Sequence, residues 1–364
     1  MRNIFISGAT GFLGWDLVKN LVKDGDSRLY LLVRGSSEEN ARDRVKKLIG
    51  KSYGTNGIKE VSERLEVIKG DVTEKSLGIS SKKIKELQKK IDTIYHCAAL
   101  CEFEIPLGRI RKINVTGTQN MLEFAMKCRQ DGSFNSFHHV STVAIMGKSG
   151  GVFYENELDK NQRFNNTYEQ SKFEAEKLVN RYREKGLSVS VYRPSIITGD
   201  STTGEVSNFQ MLYQPLHIIS LEIFNKIPAN KEMDYNLVPV DYVARAISLI
   251  SSVSDNNKNY HLTNPNTITL DFLLDVASSY FGFKKPKIMI SKEFNFKTLK
   301  GFRRKVLNPY LPYLNHEKVV FDTRNFDKAI SGKGFSWPAV DKDLLLRLFG
   351  YCADVNYITR HNWK

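Results

Sequence analysis

Short apolar runs alternate along the first two hundred residues with longer stretches whose apolar positions recur every three or four. The first pattern is that of buried strands, the second that of helices with one face turned to a core. Strands are expected at 3–7, 28–33, 64–69, 91–97, 134–141 and 187–193, and helices near 12–24, 38–50, 81–89, 107–130 and 167–185. Most of the strand runs are apolar at nearly every position, as strands covered on both faces are. This regular alternation predicts an α/β fold: a doubly wound parallel sheet with helices on both sides. Beyond Arg193-Pro194 the pattern loosens. Residues 199–204 (Gly-Asp-Ser-Thr-Thr-Gly) read as a loop, a helix at 240–252 and a strand at 259–263 can return to the sheet, and the rest reads as helices and basic loops. The expected division is a domain over 1–264, with an insertion at about 199–235, and a smaller, mainly helical basic lobe over 265–364.

Composition changes this picture little. The chain has 364 residues, 41% of them hydrophobic and 26% charged, enough for one large domain and a small lobe with an ample core. The cysteines at 97, 101, 128 and 352 form no disulfide framework, and the spacing of Cys97 and Cys101 suits no common zinc knuckle. Reduced thiols are expected. The opening Met1-Arg2-Asn3 runs straight into Ile4-Phe5-Ile6, too short an apolar run for a secretory signal, and no stretch is long enough to span a bilayer. A cytoplasmic location is expected.

Charge changes it more. The net charge is +14, and residues 281–310 hold nine Lys/Arg against the single acid Glu293. Such a field favours a phosphate-bearing ligand, an acidic protein or an anionic membrane surface; a solvated lysine-rich face is the competing reading. Phe281, Phe283, Phe294, Phe296 and Phe302 are interleaved with these lysines and are expected to pack the lobe, with peripheral membrane contact as the other option. No nucleic-acid motif accompanies the basic stretch, so a nucleic acid is not an expected partner.

The chemistry begins at Ser7-Gly8-Ala9-Thr10-Gly11-Phe12-Leu13-Gly14, between the first strand and the first helix. There, glycines allow a tight turn and let the backbone approach a pyrophosphate, whose charge meets the amides of the helix N-terminus. The second strand ends at Arg34, with Arg42 and Arg44 shortly beyond. A site for NAD usually places a carboxylate there to accept from the ribose hydroxyls, whereas a guanidinium suits a 2′-phosphate. NADP(H) is the expected cofactor. Asp71, after the third strand, is a candidate to hold the adenine amine or, equally, a loop acid capping a helix.

Tyr168 and Lys172 open a helical segment and, four residues apart, share one face. A nearby cation stabilises phenolate, which would make Tyr168 a usable acid or base. The fifth strand closes with His139-Val140-Ser141-Thr142, which puts a hydroxyl at the carboxyl edge of the sheet, where open α/β sheets bind ligands.

Taken together, Gly8-x2-Gly11-x2-Gly14, Asp71-Val72, Cys97-Ala98-Ala99, Asn114-Val115-x-Gly117-Thr118, Ser141-Thr142, Tyr168-x3-Lys172 and Arg193-Pro194 resemble the extended short-chain dehydrogenase/reductase superfamily. The strand end Val33-Arg34, residues 139–145 and 192–199, and the later segments at 238–244 and 260–264 narrow the likeness. They resemble its thioester-reductase and fatty acyl-CoA reductase branch, with its male-sterility-type NAD(P)-binding domain, over about residues 1–275. The resemblance implies a Rossmann-type fold with a C-terminal substrate lobe. It also implies Thr142, Tyr168 and Lys172 as catalytic residues, Thr142 orienting the substrate, Tyr168 acting as acid, and Lys172 binding the nicotinamide ribose and depressing the Tyr168 pKa. The cofactor would be held by Gly8, Thr10, Gly11, Phe12, Leu13, Gly14, Arg34, Arg44, Asp71, Val72, Ala98, Ala99 and Asn114, with Tyr168, Lys172, Pro194 and Ile196 at the nicotinamide end. Ser141 is then not the reacting hydroxyl.

The implied reaction is reduction of an acyl thioester, presented on coenzyme A or an acyl carrier protein, to an aldehyde or alcohol. The rival keeps the fold and acts on a hydroxyl or carbonyl of a sterol-like, flavonoid-like or nucleotide-sugar substrate. A protein that binds NADP without turnover typically lacks the tyrosine or lysine, and both are present here. Extended relatives often dimerise through the helices that correspond to 107–130 and 167–185, which makes a homodimer an open expectation.

Overall fold

The computed structural model describes residues 1–252, 257–290, 293–298, 300–314 and 318–361, the side chains of 55–60 and 298 excepted. Seven parallel strands form the central sheet: β1 (Arg2–Ser7), β2 (Ser27–Val33), β3 (Leu65–Lys69), β4 (Thr93–His96), β5 (Ser136–Val140), β6 (Val189–Pro194) and β7 (Asn259–Leu262). Their order across the sheet is β7-β6-β5-β4-β1-β2-β3. The chain winds from β1 outward to β3, then returns to the middle and winds the other way from β4 to β7. The direction reverses between β1 and β4, and in open parallel sheets a crevice for ligands opens beyond the carboxyl ends at that point.

The helices follow from the expected periodicity: α1 (Phe12–Lys23), α2 (Glu38–Arg64), α3 (Ser81–Lys90), α4 (Gly117–Asp131), α5 (Thr167–Glu184), α6 (Val240–Ser251), α7 (Leu270–Phe281) and α8 (Lys342–Asp354). One face of the sheet is covered by α1, α2 and α6, through residues such as Leu17, Val45 and Ile247. The other is covered by α3, α4 and α5, through Leu87, Met121 and Val179. Each such side chain, fully buried, contributes about 1.5–3 kcal/mol. Two helices differ from expectation. α2 runs well past 50 and bends at Gly54, whose φ of 64° is not helical. The helix expected at 107–130 is interrupted by a π turn at Lys112–Thr116, where the Thr118 hydroxyl donates to the Asn114 carbonyl at 2.6 Å.

A third apolar cluster forms the lobe. It joins Val206 to Leu237 with Ile268 to Leu314 and Val340 to Ile358, so the stretch after 199 and the C-terminal residues share one core. The chain from 265 onward is divided between the two bodies of packing. Val319–Phe321 pairs in parallel with Gly151–Phe153, and Phe326 sits at 1% exposure in the core beneath α1 and α6. Of the lobe phenylalanines, Phe281, Phe283 and Phe294 are buried, whereas Phe296 and Phe302 are 44% and 66% exposed. Among the described residues no helix is long and apolar enough to cross a membrane.

Candidate active site

The glycine loop and the loop after β4 meet at the switch point, backbone against backbone. Gly8 has φ +73°, and a Cβ there would lie 2.6 Å from the Ala98 nitrogen. A Cβ on Gly14 would lie 2.0 Å from the Gly8 carbonyl oxygen, which itself accepts from the Gly11 amide at 2.9 Å. Only glycine at 8 and 14 permits this approach. Gly11 caps α1 without a side-chain hydrogen bond, and the first turn holds no acid. The helix therefore presents free amides to an anion, the fit that a dinucleotide pyrophosphate requires.

Arg44 ties this loop to the end of β2, donating to the Arg34 carbonyl at 2.5 Å and to the Thr10 hydroxyl at 3.1 Å. The Arg34 side chain is exposed at the same corner. Arg42 points elsewhere, into a cleft of about 800 Å³ along edge strand β3 that contains none of the residues expected to react. Asp71 is half-buried and spends one carboxylate oxygen on the Thr73 amide at 2.8 Å, a local turn. Val72 is buried against Gly117, whose Cβ would fall 2.9 Å from it.

The reacting groups line a second cavity, of about 450 Å³, running from the glycine loop to the lobe. Phe12 and Leu13 flank it at the loop, Ala99 and Cys101 on the strand β4 side, and Pro194 and Ile196 opposite. The start of α5 is set by side-chain caps on either side of Asn166. The Asn166 side chain accepts from the Glu169 amide at 3.0 Å, and the Glu169 carboxylate reaches back to the Asn165 amide at 2.7 Å. Tyr168 thus stands in the first turn with Lys172 one turn deeper. The Tyr168 hydroxyl, the Thr142 hydroxyl and the Cys101 thiol line this cavity together. Lys172 donates to the Val140 carbonyl at 2.8 Å.

Burial pushes the Tyr168 phenol well above the usual tyrosine value. The Cys101 thiol adds to this, and the Thr142 hydroxyl opposes it. The net shift is upward, against the depression expected from Lys172, which is not among its causes. Lys172 itself is pushed down to about 8, again by burial, with Cys101, Glu176 and Cys97 acting in the opposite sense.

Asn114 was expected against the cofactor, but at 1% exposure its amide is already taken up. It accepts from the Leu100 amide at 2.7 Å and donates to the Leu100 carbonyl at 3.0 Å and the Ser171 hydroxyl at 2.9 Å. It staples the loop after β4 to α5. Ser141 donates to Glu176 at 2.7 Å, which leaves Thr142 as the hydroxyl facing the cavity.

Several contributors went unread in the sequence. Cys101 lines the same cavity as Tyr168. Phe103 stacks on Tyr313 with centroids 5.2 Å apart, and Tyr313 donates to Glu169 at 2.5 Å, joining the lobe to the first turn of α5. Glu176 lies four residues beyond Lys172, a signal the helix spacing did carry.

The family model described as male sterility protein matches residues 6–247. A linear gramicidin synthase protein of Brevibacillus parabrevis is 31% identical over 294 residues, 79% of this chain and 6% of that protein. The L-2-aminoadipate reductase large subunit of Eremothecium gossypii is 31% identical over 278 residues, 72% of this chain and 20% of that one. The chain thus spans only a small part of these relatives. The crystal structure of the terminal R domain from the myxalamid PKS-NRPS biosynthetic pathway superposes with a TM-score of 0.85 at 28% identity, covering 99% of this chain and 92% of that one. With well over half its length matched and its sheet wound as the motifs required, the chain belongs to the male sterility protein family, in the thioester-reductase branch of the extended short-chain dehydrogenases/reductases, and is an NAD(P)-dependent oxidoreductase.

Proposed function

We propose that this protein reduces an acyl thioester to the aldehyde with NADPH, the acyl group arriving on a carrier protein. The observation that carries the reading is that Tyr168, Thr142 and Lys172 line one cavity that also opens onto the glycine cradle. In this reading residues 1–264 hold the cofactor and the lobe shapes the acyl side of the cavity. The curated relatives include a gramicidin synthase and an aminoadipate reductase, which favours a carrier-bound acyl group over free coenzyme A esters. Arg44 and Arg34 supply cations at the corner where a 2′-phosphate would lie, which favours NADPH over NADH.

Bound in the cradle, the reduced nicotinamide supplies the hydride. Every other requirement falls to the chain. Thr142 and Tyr168 donate to the thioester carbonyl oxygen and stabilise the charge that develops there. Tyr168 passes its proton to that oxygen, completing a hemithioacetal. The carbon–sulfur bond then breaks, the thiol departs with a proton, and the aldehyde remains. The raised Tyr168 pKa suits a proton donor, since the phenol stays protonated until a strong base forms beside it. Lys172 offers its ammonium to the ribose and to the phenolate left after transfer. No cysteine nucleophile is needed, and neither Cys97, held protonated by its surroundings, nor Cys101, exposed but with its thiol raised rather than lowered, is suited to be one. Free thiols and reduced cofactor both suit a cytoplasmic setting.

The test is NADPH consumption against a panel of carrier-bound and coenzyme A thioesters, the matching aldehydes, and secondary alcohols with NADP⁺. Turnover on carrier-bound thioesters with aldehyde release is expected. Activity confined to secondary alcohols would sink the reading and leave the fold and cofactor site standing.

A further inference from the structure

The first turn of the helix that carries Tyr168 is completed by a side chain from the lobe. Tyr313 stands in the single helical turn Leu311–Leu314, whose neighbours Tyr310 and Leu314 are buried in the lobe core. The Leu314 carbonyl accepts from the Asn230 amide at 3.0 Å, which fixes this turn to the rest of the lobe. From there the Tyr313 hydroxyl donates to Glu169 Oε1 and accepts from Asn166 Nδ2, each at 2.5 Å. These are the two side chains that cap α5, Asn166 accepting from the Glu169 amide and Glu169 from the Asn165 amide. Only Thr167 and Tyr168 lie between them. Thr167 is held as well, its hydroxyl donating to the Ile105 carbonyl at 2.7 Å.

A helix start on an open surface can satisfy its end groups with water. Here Glu169 is 1% exposed, and a buried carboxylate is costly unless its hydrogen bonds are made. One phenol oxygen supplies both the acceptor for the Asn166 amide and a donor to Glu169. The rings make a second connection. Phe103 stacks on Tyr313 with 22° between the planes, and the same ring meets Tyr168 with centroids 6.2 Å apart. Tyr168, Phe103 and Tyr313 all line the cavity of the reacting groups. The lobe thus reaches the proton donor twice, through the caps of α5 and through the ring of Phe103. A first turn has no earlier turn to hold it, and reaction geometry is sensitive to displacements of about 1 Å. What fixes this turn therefore bears on the chemistry.

We propose that Tyr313 is a positioning residue: its hydroxyl, set by the lobe, closes the cap of α5 through Asn166 and Glu169 and holds Tyr168 where it can give its proton. The inference rests on Tyr168 acting as the acid of the proposed reduction, so one readout is kept independent of any substrate. Tyr313→Phe keeps the ring and its stacking on Phe103 and removes both hydrogen bonds. The Tyr168 ring is followed by NMR of isotope-labelled tyrosine, its signal assigned by loss in Tyr168→Phe. In Tyr313→Phe that signal is expected to move or split, while the signal of Tyr95, buried in the sheet, holds its place. Thioester turnover is expected to fall by about tenfold or more in kcat. The KM for the thioester and the NADPH dissociation constant should stay within about twofold of wild type. A side chain serving stability alone would lower the melting temperature and leave the Tyr168 signal and kcat as they are, and that result would overturn the proposal. A raised KM at wild-type kcat would make Tyr313 a wall of the acyl site and overturn it too. Should Tyr313→Phe not fold, Asn166→Ser decides, since serine still caps a helix but lacks the amide that donates to Tyr313. An unmoved Tyr168 signal in that variant would overturn the proposal. A signal that moves as expected in a chain whose wild type reduces no thioester would refute the substrate reading alone.

Discussion

Replacing Gly14 by alanine should damage cofactor binding and fold together, by an amount the backbone geometry sets. The added Cβ would stand 2.0 Å from the Gly8 carbonyl oxygen and 2.8 Å from its carbon, against an ordinary contact of 3.4 Å or more. Relief requires the Gly8–Gly11 turn or the first turn of α1 to move by more than an ångström, and neither is a flexible side chain. Overpacking of this kind costs about 1–3 kcal/mol, and a backbone partner puts the cost near 3. A displaced cradle also loses the alignment of its amides with a pyrophosphate. Hydrogen bonds to charged groups contribute about 1.5–3 kcal/mol each, so losing one or two weakens NADPH binding on the order of 100-fold. The assay is a fluorescence titration of NADPH combined with a thermal melt. Gly50→Ala is the control. It lies in α2 with nothing within 4 Å of the new Cβ, so affinity should hold while stability gains up to about 1 kcal/mol. Wild-type NADPH affinity in Gly14→Ala would refute the placement of the cofactor.

Acid should destabilise the fold steeply. Burial pushes His96, His138 and His261 down to about 3, from 6.5 in the unfolded chain. Between those values the unfolded state binds more protons, so stability falls as pH falls, by about 4 kcal/mol per pH unit for three groups. Glu155, raised to about 7 by burial, works the other way between 7 and 4.5 and offsets one of the three there. A melting temperature that stays flat from pH 6 to pH 4 would contradict this. Arg44→Ala should weaken NADPH more than NADH, by about tenfold in the ratio of their dissociation constants, since a charge-assisted contact to a phosphate is lost; an unchanged ratio counts against the 2′-phosphate corner. Asn114→Ala removes three hydrogen bonds that staple the loop after β4 to α5 and should cost about 2–4 kcal/mol in denaturant unfolding, with little change in cofactor affinity once folded. A large affinity loss at wild-type stability would restore it to the cofactor site.

The strands were legible because most are buried on both faces, edge strand β3 excepted, and are bounded by turn residues; β1 to β6 lie within about two residues of their expected limits. Tyr168 and Lys172 could be read because helical spacing alone puts them side by side. The same spacing continued to Glu176, but a glutamate in a helix rich in charged residues gives no sign of burial without its partner Arg193 on another strand. Ser141 and Thr142 were separable only through the family likeness; in the structure it is the contact with Glu176 that divides them. Tyr313 was beyond reach. Its link to Glu169 spans 144 positions and comes from a stretch with no hydrophobic periodicity. The return of Val319–Phe321 to Gly151–Phe153 was equally hidden, since two three-residue strands carry too little pattern to announce a pairing.

The most direct test of the account is aldehyde formation from a carrier-bound thioester by the wild-type chain and by Tyr168→Phe, with NADPH affinity measured on both. The account predicts aldehyde from the wild type, a loss of roughly 100-fold or more in Tyr168→Phe, and near-equal NADPH affinity. Undiminished aldehyde formation by Tyr168→Phe would contradict it.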